Sequence, residues 1–514
     1  MFNSIVFIFG FLPVTLTGYW LLAALPWHRP RLWWLILASL FFYAYWAPRY
    51  ALLLIAAMMV NYAVGQLLQR TPAERKRRRN WLLIGGVGFN LALLFYFKYF
   101  NFFIDNINAL LGTDIGVGRI VLPLAISFFT FQKIALLFDI ARGKVRLGGV
   151  SEFSTFVLFF PQLIAGPIVH YSELEPQLAA PPRRTAAGRD MVAGLTIFAI
   201  GLFKKTVLAD TAALYATPIF DAARDGAAPG MVGAWLAAAA YTLQIYFDFS
   251  GYSDMAIGLA RMFGVVMPLN FHSPLRARNM AELWRRWHMT LSRFVQSYIF
   301  QPLSIPLARW AAGHSSGALA FLALSTLLPT FLAMVIIGAW HGAGWNFFIF
   351  GAMHGVFVAS YEAWAFATKK RRKGRVEPGW ERALAHVLTV TCFVAAVVPF
   401  RAADVGVTGQ FFADMLGLHS LAGDWPTRVP FGAAGMALVL MVGALIVALL
   451  PNTQHFMTGV TPALEWKKWR SVGLPPISYH WRPTLGWSVV TGLILMLGIV
   501  FISRGTTEFI YFNF

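Results

Sequence analysis

Long apolar stretches separated by short polar or basic segments dominate the chain. They run at about 3–25, 32–47, 50–68, 81–97, 118–141, 191–210, 231–250, 316–340, 345–367, 380–400, 431–450 and 484–503. Most approach the roughly 20 residues that a helix needs to cross a bilayer, and no run shows the two-residue alternation of a membrane barrel strand. Hydrocarbon offers no partner to an open backbone, so the chain is expected to be an all-α polytopic membrane protein with about 11–13 transmembrane helices plus re-entrant and interfacial helices. Positions 153–169 are apolar but broken by Pro161, Gly166 and Pro167, a pattern suited to a re-entrant segment buried in protein.

Charge orients this bundle. Arg75, Lys76 and Arg77–Arg79 form one basic cluster and Lys369 to Lys373 a second; both are expected on the cytoplasmic side. Counting spans from them puts the N-terminus outside, the basic turn at 28–31 inside, the segment with Lys467, Lys468 and Arg470 inside, and the C-terminus outside. Lys204 and Lys205 fall within a span, which implies that this span tilts or breaks. Positions 401–430 make the longest external loop, too short for a separate domain, so residues 1–514 are read as one integral membrane domain. The first 25 residues carry no Lys or Arg, so they are expected to stay as a first span and not to be a signal peptide.

Composition agrees: 58% of residues are hydrophobic and 12% charged, about half the charged fraction of a soluble domain. The net charge of +20 lies in inter-span segments, with no basic domain outside them, and no nucleic-acid partner is expected. Cys392 is the only cysteine, which excludes an intrachain disulfide, a cysteine zinc site and an iron–sulfur cluster. No Gly-x-Ser-x-Gly elbow, Walker loop or dinucleotide fingerprint occurs.

Candidate chemistry concentrates in two histidine motifs. One is Trp284-Arg285-Arg286-Trp287-His288, opened by Asn279 and Glu282 in a capping pattern. Trp284, Trp287, His288 and Leu291 fall at i, i+3, i+4 and i+7, one face of a helix, with Arg285, Arg286 and Arg293 elsewhere around it. On pattern alone this favours an interfacial helix whose histidine is only hydrogen-bonded and whose arginines meet lipid headgroups, with the floor of a membrane cavity as the alternative. The other is Trp340-His341-Gly342, ending an apolar run, where an imidazole without a purpose is costly. His354 follows 13 residues later, about 220° around an unbroken helix, so it is expected to support the site from behind unless the helix breaks near Gly342. The spacing is not His-x-x-x-His and no carboxylate adjoins it, so no metal is expected. Two polar islands complete the set: Ser127, Thr130 and Gln132 after Pro123, and Gln244, Tyr246, Asp248, Ser250, Tyr252, Ser253 and Asp254. The second either lines a cavity or glues helices together.

The segments at 123–132, 160–168, 246–254, 284–292 and 340–342, in this order, resemble the membrane-bound O-acyltransferase (MBOAT) family, in particular its bacterial branch of alginate- and teichoic-acid-modifying members. The resemblance runs to the aromatic tail at 508–514. It implies a funnel-like helical domain with a central tunnel, in the bacterial inner membrane. The implied activity moves an acetyl group from a cytoplasmic thioester, acetyl-CoA or an acyl-carrier phosphopantetheine, to hydroxyls of an exported polysaccharide, alginate-like or cellulose-like. No bound cofactor is implied; the partners implied are membrane lipid, an extracytoplasmic acetyltransferase and the polysaccharide synthesis machinery. His341 and His288 match the family's histidines and become the catalytic candidates, His341 as base or acyl relay and His288 to orient the donor or polarise its carbonyl. Trp340, Trp287, Asp248, Asp254, Gln132 and His354 are expected to support them or line the tunnel, an aspartate orienting a histidine. Arg285, Arg286 and Arg293 are expected to hold donor phosphates. The competing class is a proton-coupled transporter or export channel with a buried His/Asp relay; it calls for two similar halves, and no repeat is evident.

The charge pattern yields a test. A reporter fused after Phe514 is expected to be active as alkaline phosphatase and dark as a cytoplasmic fluorophore; the opposite result would overturn the span count.

Overall fold

The structure, a computed structural model, describes residues 2–27, 29–116, 118–181, 184–314, 317–423, 429–503 and 509–510. Among them the regular elements are helices, and the one strand-like pairing is the isolated bridge between Pro268 and Leu464. His28, and with it part of the 28–31 turn, lies outside the described residues, as do 508 and 511–514 of the aromatic tail.

Among the described residues seven helices, fewer than the expected 11–13, are long and apolar enough to cross a membrane: Pro48–Arg70, Lys76–Leu111, Ala187–Arg224, Ala318–His341, Gly379–Arg401, Gly432–Leu449 and Leu485–Ile502. The other apolar stretches are helical too but differ in kind. Ile126–Ala141 has 16 residues, about 24 Å, short of the roughly 30 Å hydrocarbon core. Arg29–Trp46 opens with two arginines, and Arg31 is buried, bonded to the carbonyls of Leu178 and Ala180. The re-entrant segment forms two short helices, Val150–Leu158 and Phe160–Leu163, and positions 153–169 are buried throughout, so its broken backbone meets protein and not lipid. The 401–430 loop contains a helix of its own, Val405–Met415.

The helix Gly230–Met262, 33 residues long, is enclosed by the others, with 240–263 buried. Its approach to Ala187–Phe203 depends on absent side chains. A Cβ on Gly194 would come within 2.6 Å of the Gly258 carbonyl, and one on Gly201 within 2.6 Å of the Gly251 carbonyl. Small residues let membrane helices close to backbone contact, the main attraction left to them when lipid is as apolar as leucine.

That contact explains the polar island. The span with Lys204 and Lys205 does break from regular geometry, through a π-helical turn, Lys204–Ala209, that turns both lysines toward the enclosed helix. Lys204 Nζ lies 2.6 Å from Asp254 Oδ2, which also accepts from Thr453 Oγ1, while Gln454 donates to Oδ1. Lys205 Nζ lies 2.9 Å from Asp248 Oδ1 and 2.7 Å from Asp210. Asp254 is paired with Lys204, and Asp248 shares Lys205 with Asp210, so the aspartates of the island fasten helices together.

Breaking one half of such a pair leaves a buried charge uncompensated, at a cost of about 3–5 kcal/mol. Lys204→Met is therefore expected to lower the temperature at which the detergent-purified protein aggregates. Adding Asp254→Leu is expected to restore much of the loss. A Lys204→Met protein as heat-resistant as the parent contradicts a structural role for the pair.

Candidate active site

The helix Leu328–His341 stops at His341, and an extended link through Gly342 and Gly344 leads into Trp345–Arg372. Glycine makes room for this link: a Cβ on Gly342 would come within 2.1 Å of the Phe347 ring. Because the helix does break here, His354 on the returning helix comes back toward the site. The two helices pack closely, a Cβ on Gly338 meeting the Phe347 carbonyl at 2.2 Å and one on Gly351 the Met334 carbonyl at 2.5 Å.

A helix that ends inside protein leaves carbonyls without partners. Here a second π-helical turn, Phe95–Tyr99, supplies them. Lys98 Nζ donates to the carbonyls of Trp340 (2.5 Å) and His341 (3.1 Å), and Tyr99 Oη to that of Ala339 (2.8 Å). A cation at a helix C-terminus also suits the helix dipole. His341 is thereby fixed, 3% exposed, with its ring among those of Trp340, Phe350 and Phe400. It lines a cavity of about 100 Å³ with Lys98, Ser127 and Trp340. Next to it, from Ala343 and Phe400 outward, opens a vestibule of about 920 Å³ with Asp105, Asn106, Gln244 and Asp404 on its walls. The vestibule lies at the start of Trp345–Arg372, the opposite end from its basic last turn.

His288 departs from expectation. The predicted continuous helix is two, Met280–Arg286 and Met289–Val295, and His288 between them is left-handed (φ 43°, ψ 52°). The face shared by Trp284, Trp287, His288 and Leu291 therefore does not form. Strain of this kind costs about 1–3 kcal/mol and persists where surroundings over-determine it. Asn270 does so: its carbonyl accepts from Met289 N at 2.9 Å, and its side-chain Oδ1 meets His288 Nδ1 at 3.1 Å and Thr290 Oγ1 at 2.9 Å. Thr290 Oγ1 accepts from Ile168 N, and Asn270 Nδ2 donates to Ser253 Oγ. Since Oδ1 can only accept, the neutral His288 ring carries its proton on Nδ1 and presents Nε2 as an acceptor. Neutral His288 therefore cannot polarise a carbonyl by donating from Nε2, which revises that expectation.

The other predicted residues separate into groups. Trp340 lies at the centre, its ring 5.3 Å from those of Phe128 and Phe131 and 6.1 Å from His288. Gln132 is buried one turn beyond Phe128 on the helix Ile126–Ala141. His354 accepts from Trp284 Nε1 at 3.2 Å, and Trp287 packs between Phe271 and Phe393, so both support the site from behind. Asp248 and Asp254 bond to Lys205 and Lys204, not to a histidine, which corrects their orienting role and removes the aspartates from the His/Asp relay that a transporter would need. Asp248 Oδ2 also accepts from Ile510 N, and Phe509 stacks on Tyr252 at 4.3 Å. The described part of the tail is thus packed into the core and not presented to a partner.

The three arginines are equally unlike one another. Arg293 grips Glu173 with both terminal nitrogens and Arg286 is buried against Glu282, whereas the Arg285 guanidinium is exposed. Lys98, Tyr99, Asn270 and Thr290 were not anticipated. A lone lysine at the end of the 81–97 stretch was the available signal for the first, and it reads equally as a side chain reaching for the interface.

A family model for the membrane-bound O-acyltransferases matches residues 146–376, which contain His288, His341 and His354. The chain is 38% identical over 449 residues to a peptidoglycan O-acetyltransferase of Helicobacter pylori, covering 82% of this chain and 81% of that protein. It is 32% identical over 522 residues to the probable alginate O-acetylase AlgI of Pseudomonas putida, covering 100% of both. With a teichoic acid D-alanyltransferase of Bacillus subtilis it shares 26% over 277 residues, 52% of this chain and 67% of that one. A buried histidine at a broken helix end, inside a polytopic helical bundle that aligns end to end with the alginate O-acetylase relative and over four fifths of its length with the peptidoglycan O-acetyltransferase, makes this chain a member of the membrane-bound O-acyltransferase family and an acyltransferase.

Proposed function

We propose that the protein transfers acetyl groups from a cytoplasmic thioester to serve O-acetylation of an exported polysaccharide, from the bacterial inner membrane. The observation that carries this reading is His341, clamped at a helix end, lining a narrow cavity, with its ring against Phe400 of the wide polar vestibule. The similarity to a peptidoglycan O-acetyltransferase and a probable alginate O-acetylase supports an acetyl group and a polysaccharide destination. An alginate-like or cellulose-like polymer is our reading of the acceptor. An extracytoplasmic acetyltransferase and the polymer's synthesis machinery are the partners that this route calls for. The donor is acetyl-CoA or a phosphopantetheine thioester on a carrier protein.

The chemistry follows from the residues. A hydroxyl entering from the vestibule gives its proton to the His341 imidazole as its oxygen attacks the thioester carbonyl carbon. The tetrahedral intermediate collapses, the carbon–sulfur bond breaks, and the departing thiolate takes the proton back, leaving the ester and a free thiol. Lys98 holds the backbone that carries the base. His288 stands across Trp340 as a second acceptor with its tautomer set by Asn270. Burial of the site keeps water from competing for the thioester.

General-base catalysis contributes about 10²–10⁴-fold. His341→Ala and His341→Gln are both expected to lose turnover of labelled acetyl thioester by about that factor in liposomes while the protein remains monodisperse. His354→Ala is expected to keep more activity than either. Substantial turnover by His341→Gln would move the base to His288.

Donor recognition separates the arginines. Arg285→Gln is expected to raise the apparent KM for the thioester and flatten its salt dependence, since an exposed guanidinium facing an anion is screened by salt. Arg293→Gln, which strands Glu173, is expected to reduce stability with little change in the KM of the folded fraction. Donor kinetics indifferent to Arg285→Gln would assign this arginine to another role.

A further inference from the structure

A second site, lined by none of the residues of the His341 cavity, lies between the helices Gly230–Met262, Gly379–Ala396 and Gly432–Leu449. Their facing sides leave a groove of about 710 Å³ walled by Leu243, Val390, Val394, Leu440, Ala444 and Val447. The groove follows one face of Gly379–Ala396 from Arg382 to Val394, roughly 18 Å at 1.5 Å per residue, close to the depth of one leaflet of a bilayer with a core of about 30 Å. Gly443 closes its floor: a Cβ there would come within 2.5 Å of Leu243, so the outer helix sits tightly on the enclosed one, leaving the slot beside that contact.

One end of the slot is strongly basic. Arg276, Arg278, Arg382 and His386 stand at its mouth. Arg278 and Arg382 also border a second cavity of about 650 Å³ that adds Arg371, Arg372 and Arg375. Several of these cations already have work. Arg276 caps the end of Gly432–Leu449 through the carbonyls of Val447 and Leu450, Arg372 pairs with Glu377, and Arg375 pairs with Glu381. Arg278, Arg371 and Arg382 have no carboxylate within ion-pair distance among the described residues. The exposed indoles of Trp364 and Trp380 stand beside this rim, the position that tryptophan favours at headgroup depth.

We propose that this groove is a binding site for one anionic glycerophospholipid, with an acyl chain in the apolar slot and the phosphate on Arg278 and Arg382. The combination selects the occupant. A zwitterionic lipid would bring no net charge to the exposed guanidiniums of Arg278, Arg371 and Arg382, whereas a soluble phosphate would leave the slot unfilled. Basic pockets between membrane helices at the cytoplasmic face take anionic headgroups for this reason. The seated lipid would bridge Gly379–Ala396, whose Phe393 ring backs Trp287 and His354, to the outer helix Gly432–Leu449. This proposal rests on the groove and its charges and is independent of the acyl-transfer reading.

Native mass spectrometry of the full chain in detergent tests it, with phosphatidylglycerol and phosphatidylcholine of identical chains added in turn. Phosphatidylglycerol is expected to remain bound under activation that strips phosphatidylcholine. Each arginine near an anionic headgroup contributes enough that removing two weakens binding by about thirtyfold, so Arg278→Gln/Arg382→Gln is expected to lose most of the retained lipid. Ala444→Phe, which fills the slot and keeps the charge, is expected to lose it as well. Equal retention of the two lipids by the parent protein would overturn the proposal, and so would unchanged retention in either variant. Displacement of the lipid by millimolar glycerol phosphate would also overturn it, in favour of a soluble-phosphate site.

Discussion

The site depends on how the helix Leu328–His341 is allowed to end. A bilayer offers no water to the last carbonyls of a helix, so a helix can stop at that depth only where protein supplies donors. Lys98 and Tyr99 supply them, and they reach the carbonyls of Ala339, Trp340 and His341 from a single π-helical turn. Remove that cap and the last carbonyls of the helix lose their donors, so the backbone that carries His341 is no longer held in place. The glycine at 342 permits the break, and the lysine makes it the stable state.

The same logic recurs at His288. Its left-handed backbone is held by Asn270, which also binds Thr290 and Ser253, while Thr290 takes the Ile168 amide. Three separated segments, the re-entrant turn, the enclosed helix and the Arg-Trp-His link, thus meet through Asn270 and Thr290. Polar side chains deep in a membrane protein are costly singly and effective in closed networks. The pairs Lys204–Asp254 and Lys205–Asp248 follow the same rule one layer away, where they fasten helices.

Much of this was legible in the sequence. Most of the apolar stretches are helical, 118–141 only from Ile126, the prolines at 161 and 167 marked the buried re-entrant turn, and Trp340-His341-Gly342 marked a histidine at a helix end. What could not be read has a common cause. Periodicity assigns Trp284, Trp287 and His288 to one helical face because it sees only local spacing, and the residue that overrides it, Asn270, lies 18 positions earlier. The aspartates of the polar island looked available to the histidines because the lysines that neutralise them sit on another helix, in a turn that no hydrophobic pattern announces. Lys98 was hidden for the same reason: its partners are carbonyls more than 240 residues away, and carbonyls carry no sequence signature.

If the capped helix end is what places the catalytic histidine, then turnover must depend on a side chain that the mechanism never protonates or deprotonates. The most direct measurement is steady-state acetyl-thioester turnover by the reconstituted Lys98→Met protein beside the parent. A displacement of about 1 Å at a reacting group can cost roughly 10²-fold. The account predicts a fall in kcat of that order with the KM for donor little changed and the protein still monodisperse. A Lys98→Met protein that turns over at the parental rate would contradict it.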